Sequence, residues 1–71
     1  MTHHNKPMKD KDYDLVSTLY HALQGVEKSD AYLLDAEKAG DEAVTSFMQE
    51  ARERYSEISE KAKSLLGERL G

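Results

Sequence analysis

"KAGDEAV", residues 38–44, decides how this chain folds. Helical periodicity runs up to it and resumes after it. Gly40 suits the left-handed position that ends a helix, Asp41 can cap the next one, and Glu42 sits well in its first turn. The stretch predicts a tight turn between two helices. The alternative is one uninterrupted helix forming a long coiled coil. It needs a phase slip near Phe47 and a glycine inside the helix, at about 1 kcal/mol relative to alanine.

Working outward, apolar residues on the first side recur at Val16, Leu19, Leu23, Val26 and Leu33, in steps of three and four that pass through Asp30 and reach Glu37. Leu15, Tyr20 and Leu34 widen this stripe, and Asp12 or Asp14 is placed to cap its helix. On the second side the stripe is Val44, Met48, Ala51, Tyr55, Ile58, Ala62 and Leu65, flanked by Phe47 and Leu66. The expected elements are helix 1 over about 12–39 and helix 2 over about 41–66. Gly67 ends the regular part, and residues 68–71 fray. Folding the chain back at Gly40–Asp41 pairs Glu37 with Val44, Leu33 with Met48, Asp30 with Ala51, Val26 with Tyr55, Leu23 with Ile58, Leu19 with Ala62 and Val16 with Leu65. The residue numbers of every pair add to the same value, as an antiparallel register requires.

Residues 1–11, "MTHHNKPMKDK", are polar and aperiodic and hold the only proline, which predicts a disordered leader. His3 and His4 there could bind a stray metal ion, but adjacent histidines in a mobile tail are usually just solvated.

The chain has 71 residues, enough for one small domain that buries a marginal share of its surface. It contains no cysteine, which excludes disulfides and thiolate zinc sites. Fourteen acidic residues against ten basic ones leave a net charge of −4 with no basic block, which argues against nucleic acid or an anionic membrane as partner. The apolar runs are too short for a membrane span or a signal-peptide core, so the expected location is the cytoplasm.

Two helices enclose no core, and each stripe is too wide for one neighbour to cover. The fold class expected is therefore all-α: an antiparallel two-helix hairpin that dimerises into a four-helix bundle, with Val16, Leu19, Leu23, Val26, Leu33, Met48, Ile58 and Leu65 at the dimer interface.

Nucleophilic catalysis finds no support: the chain has no cysteine and no glycine-rich elbow, and His21 points away from the stripe beside Gln24 and Lys28. "LGERLG" lacks the lysine of a phosphate loop. No enzymatic activity is expected.

The stretch "LYHALQGVEKSDAYLLDAEKAGDEAVTSFMQEARERYSEISEKAKSLL", residues 19–66, resembles half of a rubrerythrin or ferritin-like four-helix bundle. Such halves run as an A-L-x-G-E helix, an A-G-D-E turn with an aromatic after it, and an E-x-x-H helix ending in leucines. The resemblance implies a carboxylate-bridged metal layer holding iron or manganese. The ligand positions depart from it. Aligning the terminal "KSLL" puts Tyr55 and Ile58 where glutamate and histidine belong, and Glu27 matches the first-helix glutamate only with a one-residue slip. No cofactor is therefore expected. If a metal were bound, Glu27, Asp30 and Glu37 across a dimer would be its ligands.

The acidic pair Glu27 and Asp30 is read instead as part of a polar core layer with Arg52 and Tyr55, which would fix register and oligomeric state. The expected function is a non-enzymatic, ferritin-like hairpin with a structural or interaction role through self-association. Two alternatives use the same residues: a metal-binding protein handling iron or peroxide, and an adaptor whose apolar stripe captures a helix of another protein.

Overall fold

The computed structural model describes residues 10–70, so His3, His4 and nearly all of the expected leader lie outside the described residues. Two α-helices pack antiparallel, α1 over Asp10–Ala39 and α2 over Glu42–Leu70, and the described residues form no strand.

The turn is built as its residues require. Gly40 has φ 69°, the only positive φ among the described residues, where a side chain would be strained. Its N–H donates to the Glu37 carbonyl and the Asp41 N–H to the Ala36 carbonyl, both at 3.1 Å. This pair of bonds satisfies carbonyls left open by the end of α1. Asp41 then caps α2: its Oδ1 accepts the Val44 N–H at 3.1 Å, and its carbonyl accepts both the Thr45 N–H at 2.9 Å and the Thr45 hydroxyl at 2.8 Å.

Both outer ends differ from expectation. α1 begins at Asp10, so Asp12 and Asp14 lie inside the helix rather than capping it, and Asp12 is buried with Oδ1 unpaired. α2 continues through Gly67 to Leu70, so residues 68–70 are helical rather than frayed. Leu66 is buried just before the glycine, and Arg69 Nη1 donates to the Leu65 carbonyl at 3.4 Å beyond it.

The seam between the helices is made of small residues. Ala22, Ser29 and Ala36 are buried at intervals of seven along α1, and Ser59, Ala62 and Leu66 are buried on α2. Leu15, Leu19, Val26 and Leu33 from α1 and Thr45, Met48 and Ala51 from α2 are half-buried. The seam therefore lies one residue to the side of the expected stripe. Leu19, Val26, Leu33, Met48 and Ala62 belong to it. Val16, Leu23, Asp30, Glu37, Val44, Ile58 and Leu65 are exposed beside it.

The displacement has a physical reason. Periodicity weights large apolar residues, whereas two helix backbones approach most closely over Ala and Ser. Each wide stripe consequently covers the seam with one edge and projects its large residues sideways. They project to opposite sides. Leu23 lines a hollow with Tyr20, Gln24 and Glu27, while Ile58 lines one with Thr18, His21, Ala22 and Tyr55. The expected facing of Leu23 with Ile58 is thus replaced by placement on the two broad faces of a slab, whose extents are 49 × 26 × 13 Å. The thin dimension is about one helix diameter.

Candidate functional site

The first broad face is ridged by α1. Val16, Tyr20 and Leu23 stand out along it, and Tyr20 is 57% exposed. Glu27 follows Leu23 by one turn and has no ion-pair partner among the described residues. Gln24 Nε2 donates to the Tyr20 hydroxyl at 3.0 Å, which steadies the ring against its own helix. Where this face meets α2, Arg52 Nε donates to Asp30 Oδ1 across the hairpin.

The second face is ridged by α2. A groove of about 290 Å³ runs along it, with Gly25 and Ser29 as its floor, Lys28 and Tyr32 on the α1 side, and Phe47 and Tyr55 on the α2 side. Phe47 is 59% exposed and Ile58 and Leu65 continue the ridge. Gly25 has no side chain and the Tyr55 ring takes its place: a Cβ there would lie 2.5 Å from Tyr55 Cδ1. Beyond it Lys11, Asp14 and Arg69 border a further hollow at the open end of the hairpin.

The four residues read as a polar core layer are divided between these faces. Asp30 and Arg52 meet, but their side chains are 52% and 45% exposed in the single hairpin, so the pair is not a buried one. Tyr55 lies over Gly25 on the opposite side, and Glu27 stands apart on the α1 ridge. Tyr55 is placed by a glycine, not by a carboxylate. A glycine one register step from an aromatic was the sequence signal for this contact.

Glu27, Asp30 and Glu37 are all exposed along one flank of α1, and Asp30 is engaged by Arg52. Among the described residues no three His, Asp or Glu side chains converge to hold a metal ion. His21 is occupied locally: its Nδ1–H donates to the Ser17 carbonyl at 2.9 Å, and its ring meets Tyr20 edge-on at 5.4 Å between centroids.

Five further charges of α2 pair along the helix. Arg54 bridges Glu50 and Glu57, and Lys63 pairs with Glu60. Such exposed pairs contribute only a few tenths of a kcal/mol each, and they make the back of α2 a solvated surface. No described helix is long and apolar enough to cross a membrane. Comparison with protein-family models, with curated proteins and with solved structures found no match.

Proposed function

We propose that this chain is a non-enzymatic helical hairpin that works by self-association, with hairpins packing face to face so that two copies make a four-helix bundle. One observation carries the reading. The buried apolar residues are Ala22, Ala36, Ala62 and Leu66, whereas Val16, Tyr20, Leu23, Phe47, Ile58 and Leu65 stay exposed. The seam takes Leu19, Val26, Leu33, Met48 and Leu66, and the exposed large side chains lie outside it with their free energy of burial unused. A surface with apolar ridges on both broad faces suits protein contact.

In this reading the likeness to half of a ferritin-like bundle concerns shape, and Tyr55 and Ile58 serve packing where that family would place ligands. The role is structural or one of interaction, and the cytoplasm suits a bundle that owes nothing to disulfides. Sedimentation equilibrium across micromolar concentrations tests it. Masses of two or more copies support self-association. A folded single chain throughout would leave these faces to a helix of a different protein.

A further inference from the structure

We propose that the hairpin is built to open from its free end, and that the unpaired carboxylate of Asp12 is the group that keeps this end weakly closed. The proposal concerns a single hairpin and does not rest on its self-association.

Asp12 occupies a seam position. It stands in steps of three and four with Leu15, Leu19, Ala22, Val26 and Ser29, the side of α1 that is buried or half-buried against α2. The residue is 9% exposed. Among the described residues its Oδ1 is the one buried side-chain polar atom with no hydrogen-bond partner. Such an acceptor has given up water and gained no donor, so it costs more than an apolar group in the same place. Ser59 shows the usual arrangement at a buried seam position: its hydroxyl donates to the Ser56 carbonyl at 2.8 Å.

α2 does not supply the missing donor. The register that brings Gly25 to Tyr55 and Asp30 to Arg52 sets Asp12 level with residues 68–70. Arg69 is the basic residue there, and its Nη1 donates to the Leu65 carbonyl of its own helix. Gly67 weakens α2 close to the same level, since glycine inside a helix is less favourable than alanine. The two ends of the hairpin are therefore unlike. At the turn, the Gly40 and Asp41 amides close α1 and the Asp41 carboxylate caps α2. At the free end, a carboxylate without a donor stands level with a stretch of α2 that begins at a glycine. Opening this end returns Asp12 to water and leaves the rest of the seam in place, so separation of the helices starts here.

Hydrogen exchange of the full chain tests this with two variants that gain the same helix propensity. Asp12→Ala removes the buried carboxylate, and Asp14→Ala removes an exposed one two residues on. The α1 dipole favours an acid in the first turn, which counts against Asp12→Ala and makes a gain the harder result to obtain. In Asp12→Ala, amides of residues 66–69 on the other helix should exchange about tenfold more slowly. Amides of residues 46–49, near the turn, should keep their rates, and Asp14→Ala should leave both groups unchanged.

The opposite direction gives a second arm. A Cβ at Gly67 meets nothing within 4 Å, so Gly67→Ala fits the structure. If the two helices open together, it should slow amides of residues 14–17 on α1 about fivefold. The proposal is overturned if Asp12→Ala leaves residues 66–69 unchanged or speeds them, or if Asp14→Ala slows them equally. Equal slowing along the whole hairpin also overturns it, because Asp12 would then weigh on overall stability and not on one end.

Discussion

The ring of Tyr55 lies directly on the backbone of Gly25. A methyl group there would sit 2.5 Å from Cδ1, 2.6 Å from Cγ and 2.8 Å from Cδ2. Those atoms are the root of the ring, not its tip, so no small torsion clears them. Gly25→Ala should therefore destabilise the hairpin by about 1–3 kcal/mol despite alanine's better helix propensity. In a Tyr55→Ala background the same change should stabilise, by up to about 1 kcal/mol. Urea melts of the four proteins give the coupling. A stabilising Gly25→Ala in the unmodified background would show that the ring does not rest there.

The turn should be sensitive at two adjacent positions for different reasons. Gly40→Ala forces a Cβ into φ 69°, and nothing within 4 Å obstructs it, so the cost of about 1 kcal/mol comes from backbone conformation alone. Asp41→Ala removes the acceptor for the Val44 N–H and should also cost about 1 kcal/mol. Asp41→Asn, which keeps an acceptor, should recover most of that loss in thermal melts. Equal losses for Asp41→Ala and Asp41→Asn would mean that the cap contributes nothing.

The Asp30–Arg52 bridge spans the two helices, yet both side chains are about half exposed. Arg52→Ala should accordingly cost less than about 1 kcal/mol in dilute protein, and most of that should vanish at high salt. A buried pair broken in this way would cost about 3–5 kcal/mol. Denaturant titrations at low and high salt separate the two cases.

What was legible in the sequence divides along physical lines. The turn could be read because its chemistry is local: Gly40 and Asp41 act on carbonyls and amides within five residues. The antiparallel register could be read as well, since Asp30 meets Arg52 and Gly25 meets Tyr55, each within one residue of the expected pairing. The phase of the seam could not be read from large residues. Val16, Leu23, Ile58 and Leu65 dominate any periodicity, but the helices meet over Ala22, Ser29, Ser59 and Ala62. The sevenfold spacing of Ala22, Ser29 and Ala36 was the available signal, and it lies one position beside the louder one. Because of that one position, the polar layer expected around Asp30 is split between two faces. The end of α2 was not legible either, because Gly67 lies within a helix that runs to Leu70.

The central claim is that the exposed apolar ridges exist to be covered by further copies of the same chain. Native mass spectrometry and sedimentation equilibrium over the micromolar range measure this most directly. Masses of two or more chains are expected, rising with concentration, with association weakened in Leu23→Glu and in Phe47→Glu. A well-folded species that stays at the 8.0 kDa of one chain over the whole range would contradict it.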